Sequence, residues 1–141
     1  MQKMTAEECR AFLREGQKTA KLATVRKDGR PHVVPIWFDL DGDDLVFTTW
    51  HTSVKAANMR RDPRVSICVD EEHAPYAFVQ IEGTAAIDEE AGDLLLWATR
   101  IAERYMGPAL AEAYGKRNAV KGEFLVSVSP SKVIAQKAIA D

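Results

Sequence analysis

Two Asp-Gly turns cut the first third of the chain into short apolar runs, and their spacing restricts the fold more than any other feature. KLATVR, the turn KDGR and the run HVVPIWFD read as two antiparallel strands joined at Asp28-Gly29, because glycine accepts the left-handed backbone of a tight hairpin. A second turn, LDGDD, leads into LVFTTW. There Leu45, Phe47 and Thr49 face one way while Val46, Thr48 and Trp50 face the other, as strand periodicity requires. A three-strand meander is the expectation.

The remaining elements fit around it. Thr5 followed by Glu8 has capping-box spacing, and Cys9, Phe12 and Leu13 then share a helical face before Gly16. SVKAANMRRDPR reads as a short helix opening at Ser53 and ended by Asp62-Pro63, since the residue before proline is pushed out of the α region. RVSICVD and AFVQIEGTAAI supply two more strands. A longer helix is expected from Asp88, with Leu94, Trp97, Ala98, Ile101 and Tyr105 as its apolar stripe, until Gly107-Pro108 breaks it. A second short helix is expected to stop near Gly115. FLVSV and VIAQKAI, separated at Pro130, read as closing strands. The predicted fold is mainly β with α: a six- to seven-stranded antiparallel barrel with peripheral helices, forming one domain over residues 1–141.

Composition excludes several classes. A chain of 141 residues can bury roughly 68–70% of its unfolded surface without a metal or disulfide staple. Its formal net charge of −2 and pI of about 5.9 argue against a chain-wide footprint for nucleic acid or an anionic membrane. Cys9 and Cys68 form no metal-binding or redox motif and read as reduced thiols. The start MQKMTAEECR lacks the apolar stretch of a signal peptide, and no run approaches the roughly 18 apolar residues of a membrane span, so a cytoplasmic location is expected.

Chemistry is expected at two places. In the second strand Val33, Val34, Ile36, Trp37 and Phe38 are almost continuously apolar, which implies burial on both faces, yet Pro35 cannot donate to a ladder. Either this strand packs one face on a partner chain or flat ligand, or it is an edge strand covered by a helix. The second place is the Ser53 helix, whose first turn carries Lys55, although acidic residues are favoured at a helix N-terminus. Lys55, one turn before Asn58, is suited to clamp a phosphate presented to that N-terminus. Thr48 and Thr49 end just before the helix, and their hydroxyls are expected near the same cavity, although threonine is also a good strand residue. Arg60 and Arg61 lie where cations suit the helix C-terminus, and Glu89 and Glu90 where acids suit the start of the next helix. His32, His51 and His73 lack metal-ligand spacing and read as exposed loop residues. No G-x-S-x-G, Walker A or G-x-G-x-x-G motif occurs.

The blocks LATVRKDGRPHVVPIWFDLDGDDLVFTT, SVKAANMRRDPRVSICVD and FVQIEGTAAI together resemble the pyridoxamine 5′-phosphate oxidase-like split β-barrel superfamily. The pattern K-x-x-N-x-R-R-D-P-R-V is similar to the branch that uses the deazaflavin coenzyme F420. This resemblance implies a homodimer with flavin-type sites at the subunit interface. It implies a ring lying against Val34, Pro35, Ile36 and Trp37, with Thr48 and Thr49 lining the ring or its ribityl chain. Ser53, Lys55 and Asn58 match the phosphate segment, Gln80 a strand position facing the cofactor, and Tyr76 a residue reaching it from the other subunit. The implied function is hydride transfer from reduced F420 to a small conjugated organic substrate, with no side-chain nucleophile. An FMN-dependent oxidoreductase and a non-catalytic flavin- or tetrapyrrole-binding protein are the alternatives. The proton can come from solvent, Tyr76 or His51. The ending SPSKVIAQKAIAD lacks the basic substrate residues of vitamin B6 oxidation. Lys18, Lys21, Arg26 and Lys27 are candidates for a groove holding the oligoglutamate tail of F420.

Overall fold

The structure is a computed structural model describing residues 1–141. In chain order it contains β1 (Gln2–Lys3), α1 (Ala6–Arg14), β2 (Ala20–Val25), β3 (Pro31–Ile36), β4 (Asp39–Asp41) and β5 (Asp44–Trp50). There follow α2 (Val54–Arg61), β6 (Arg64–Glu71), β7 (Ala77–Asp88), α3 (Leu94–Met106), α4 (Pro108–Asn118) and β8 (Glu123–Lys137). One antiparallel sheet runs in the order β3-β2-β6-β7-β8-β5-β4, with β1 added to the end of β8. Its ends, β3 and β4, do not pair, so the barrel is split.

This arrangement corrects the expected meander. The run HVVPIWFD is not one strand: it breaks at Trp37-Phe38, and its two parts join opposite ends of the sheet. β3 pairs only with β2, from Ala20↔Ile36 to Val25↔Pro31, whereas β4 pairs only with β5. Pro130 does not interrupt β8, which pairs with β7 from Gln136 through to Leu125 with a register shift at Glu82/Gly83. With β1 added, the count becomes eight rather than six or seven.

Pro35 fits this edge position for a reason visible in the ladder. The Arg26 N–H donates to the Arg30 carbonyl at 2.9 Å, so alternation makes 24/32, 22/34 and 20/36 the hydrogen-bonded pairs. Peptide groups at 31, 33 and 35 therefore point to the free edge, where neither proline is asked to donate. Side chains alternate too: Val34 and Ile36 face inward, while Pro35 and Val33 are exposed, Val33 at 64%. Burial on both faces is thus not realised within one chain.

The core fills the barrel with Leu22, Phe38, Leu45, Phe47, Ile67, Val69, Val79, Val126 and Val128, to which α1 adds Leu13 and α2 adds Met59. The capping box is present: Thr5 Oγ1 accepts from the Glu8 N–H at 3.1 Å and Glu8 Oε1 from the Thr5 N–H at 3.0 Å. The helix expected from Asp88 starts later, at Leu94, because β7 extends through Asp88. Glu89 therefore lies in a turn, paired with Arg60, rather than at a helix start. Gly115 does not end α4. It sits inside it, where an added Cβ would lie 2.2 Å from Thr99 Oγ1, so it permits the close approach of α3 and α4.

Candidate cofactor site

The site is organised by the start of α2. Ser53 Oγ accepts from the Ala56 N–H at 3.2 Å, as an N-cap does, and shares a 2.8 Å hydrogen bond with Thr49 Oγ1. Thr49 is only 2% exposed, so its hydroxyl fastens the helix start to β5. Thr48 points to the opposite face of that strand. The two hydroxyls therefore do not share a cavity, contrary to expectation.

Lys55 is half-buried, and none of the chain's carboxylates lies within salt-bridge distance of it. Burial pushes its pKa down, against the attraction of Glu123. Glu123, opposite Trp50 at the start of β8, is half-buried as well. Burial pushes its carboxyl up, while the Thr48 hydroxyl and Lys55 favour the ionised form. Lys55 and Glu123 thus affect each other's charge without forming an ion pair.

Asn58 is a strut. It is 4% exposed, donates through Nδ2 to Thr24 Oγ1 at 3.0 Å, and accepts from Arg61 Nη2 at 3.2 Å. Its outer side lines a cavity of about 630 Å³ whose other walls are Arg26, Lys27, Asp28, Arg30 and Arg61. The one carboxylate there, Asp28, is engaged by Arg30 Nε at 2.7 Å. Arg30 holds it below the usual carboxylate range through its N–H and its guanidinium. Arg61 also donates to the Val25 carbonyl. Four cations against one acid leave this cavity strongly positive.

His32 lies between the two groups. Burial, then Arg26, then Lys55 lower its pKa and so disfavour the imidazolium. Its Nδ1 is buried without a hydrogen-bond partner. An orphaned imidazole nitrogen flanked by Lys55 and Arg26 is a fit for an anionic ligand group rather than for an apolar one. The seam beside it is lined by the free edge of β3, with the Val33 N–H and the carbonyls of Pro31, Val33 and Pro35. β4 covers only Asp44 to Val46 of β5 and leaves Phe47 to Trp50 open on that side.

The other expected residues lie apart. One face of the Trp37 indole is covered by Tyr105, with ring centroids 5.0 Å apart, and the residue is 38% exposed. Gln80 is on the outer face of β7, in a row Pro35, Lys21, Cys68, Gln80, Ile134 across five strands. Tyr76 is exposed in the turn before β7 with φ 62°. Within one chain neither reaches the seam. Lys21 is held by Asp70 at 2.8 Å, and Lys18 lies 3.9 Å from both Glu15 and Glu71, so neither joins the basic cavity. His51 packs edge-on against Trp50.

Sequence reading missed His32, Arg30, Arg61 and Glu123. Arg26 and Arg30 flank a hairpin turn, a signal that could have paired them. Glu123 offers no such signal. A second cavity, of about 560 Å³, lies between α1 and the end of β8, and no expected site residue lines it. No group of three or more His, Cys, Asp and Glu is placed to hold a metal, and no helix is long and apolar enough to cross a membrane.

Among solved structures, a conserved hypothetical protein, Rv2991 from Mycobacterium tuberculosis, superposes with TM-score 0.84 at 27% identity, covering 96% of this chain and 86% of that one. A protein described as an F420 reductase gives TM-score 0.70 at 28% identity, covering 86% and 92%. The heme storage protein HutZ from Vibrio cholerae gives 0.73 at 21% identity, covering 96% and 98%, a likeness of fold alone. The pyridoxamine 5′-phosphate oxidase family model matches residues 5–137. An open antiparallel barrel with that match across nearly its whole length belongs to the pyridoxamine 5′-phosphate oxidase family.

Proposed function

We propose that this protein is an F420-dependent reductase acting on a small conjugated organic substrate. The observation that carries this reading is the extent of positive charge. Lys55 alone would suit a single phosphate, but Arg26, Lys27, Arg30 and Arg61 continue the cationic surface into a cavity of about 630 Å³. FMN ends at its phosphate and leaves that cavity unused. F420 carries an oligoglutamate tail beyond its phosphate, and several carboxylates match several guanidinium groups. The 28% identity to a protein described as an F420 reductase supports the same choice.

In this reading Lys55 and the α2 N-terminus hold the phosphate, with His32 offering Nδ1 to it or to the adjoining hydroxyls. The free edge of β3 supplies main-chain donors and acceptors to a flat ring. Bound reduced deazaflavin supplies a hydride, so the chain's task is to orient the ring and exclude water. Ser53 caps the turn that carries Lys55, and Asn58 holds α2 against β2.

The reading includes a homodimer. The outer face of β3 exposes Val33 and Pro35, and Cys68 and Gln80 continue the row that starts at Pro35 across β6 and β7. A second copy there would bury Val33 and bring Gln80 and Tyr76 toward the partner's seam. Titration of purified protein with F420 and FMN, followed by fluorescence, tests the cofactor. Tighter F420 binding is expected, and equal or tighter FMN binding assigns the FMN reading instead. Sedimentation showing only monomer at micromolar concentration rejects the dimer.

A further inference from the structure

We propose that the cavity between α1 and the end of β8 is a second binding site, for an apolar molecule that ends in a carboxylate. It stands apart from the cofactor reading, since none of its lining residues belongs to the seam beside α2. The cavity arises where two strands stop short. On one edge of β8, β5 pairs as far as Val128 and β1 begins at Gln136, so Ser129 to Ala135 have no strand beside them. The facing wall is α1, through Cys9, Arg10 and Leu13. Val133 shows the result: opposite Ile81 in the β7–β8 ladder it shares the core face, yet it is 47% exposed where Ile81 is 3%.

The lining selects both ends of the ligand. Leu13, Leu40 and Ile81 are buried members of the barrel core and line the cavity, which gives its interior an apolar character. Its volume of about 560 Å³ falls within the range of small-molecule sites, roughly 300–1,000 Å³. The charged residues that line it are Lys3, Arg10 and Asp43, all exposed. Asp43 lies 3.5 Å from Arg10, and none of the chain's carboxylates lies within salt-bridge distance of Lys3. One cation is therefore in excess at the mouth of an apolar space, which complements a single carboxylate on an apolar body. β8 adds a neutral donor. The Met4 N–H donates to the Ala135 carbonyl at 2.9 Å, so strand alternation turns the Val133 N–H to the same unpaired edge. That N–H offers a hydrogen bond to a ligand oxygen.

The chain carries its own probe and its own control, because Cys9 lines the cavity while Cys68 lies in the row that runs across the sheet from Pro35 to Gln80. Alkylation of the full chain by iodoacetamide is followed at each cysteine by peptide mass spectrometry, with decanoate or decanol added below micelle-forming concentrations. Decanoate should slow the reaction of Cys9 by about tenfold or more and leave Cys68 unchanged. Half-protection should need about tenfold more decanol than decanoate. In the double variant Lys3→Gln, Arg10→Gln, decanoate should lose that advantage while decanol protects as before. The comparison of acid with alcohol in the unaltered chain decides the matter even if that variant does not fold. No protection of Cys9, equal slowing of both cysteines, or equal potency of acid and alcohol overturns the proposal. So does protection of Cys9 that rises with protein concentration in the absence of either probe, which would put a second copy of the chain in the cavity.

Discussion

The indole of Trp37 lies flat on the phenol of Tyr105, 7° from parallel, while the Tyr105 hydroxyl donates to the Lys18 carbonyl at 2.7 Å. The Phe38 N–H donates back to that hydroxyl at 3.3 Å. The preceding residue of α3, Arg104, donates to the carbonyls of Leu13, Gly16 and Phe38 at 2.7, 3.0 and 3.0 Å. One end of α3 thus fixes the corner where the chain leaves β3 for β4.

Tyr105→Phe should keep the stack but leave the Lys18 carbonyl and Phe38 N–H without this partner, at a cost of about 1–2 kcal/mol in urea unfolding. Tyr105→Ala should cost about 3 kcal/mol and shift Trp37 emission to the red. An unshifted spectrum would show that the corner does not depend on the stack.

Lys55→Ala should weaken F420 and FMN binding by about tenfold or more. The melting temperature should move by no more than about 3 °C, because the lysine is only half-buried. Lost affinity with a large fall in melting temperature would make Lys55 structural instead.

Ser53→Ala removes both the cap to Ala56 and the contact with Thr49, and should destabilise the chain by about 1 kcal/mol. Calorimetry reads this as a fall of roughly 4 °C. Thr49→Val should cost a similar amount, and the double variant less than the sum, because both lose the same hydrogen bond.

Asp62 gives a pH dependence. Its carboxylate is held at about 2, below the 3.8 of an isolated group, by hydrogen bonds from the Arg64 guanidinium and then the Arg64 N–H. A depressed folded pKa contributes stability that is present above the unfolded value and lost as pH falls through the folded one. Asp62→Asn should therefore lower the melting temperature at pH 7, and the difference should shrink as the pH falls through 2. An equal effect at both pH values would show that the ionised carboxylate is not what matters.

Gly115→Ala would place a methyl group 2.2 Å from Thr99 Oγ1 and 2.9 Å from Thr99 Cα. Overpacking of this kind should cost about 1–3 kcal/mol, read as a lowered unfolding midpoint. A neutral outcome would mean that α4 can shift freely on α3.

Local signals carried much of this structure. The Thr5–Glu8 capping box, the Ser53 cap, the hairpin at Asp28-Gly29 and the end of α2 at Asp62-Pro63 all depend on residues within a few positions of one another, so a linear reading finds them. Gly115 and Pro130 misled because a glycine inside a helix and a proline inside a strand can also serve packing. Here the cause of Gly115 is Thr99 on another helix, which no local pattern shows. The break at Trp37-Phe38 was hidden for the same reason: Tyr105 and Arg104, some 65 positions later, stabilise it. At the site, Lys55 stood out because it conflicts with the helix dipole. Glu123 and His32 carry no such conflict, and only the folded chain sets them beside it.

The break at Trp37-Phe38 also limits how the barrel can deform. Ile36 and Asp39 end and begin strands at opposite sides of the opening, and three residue steps of extended chain reach about 11 Å at most. That end is tethered. The other end of the opening, where His32 and Lys55 sit, has no covalent link of comparable shortness between β3 and β5. Widening is therefore wedge-like, with its pivot at the aromatic corner and its greatest excursion at the basic end.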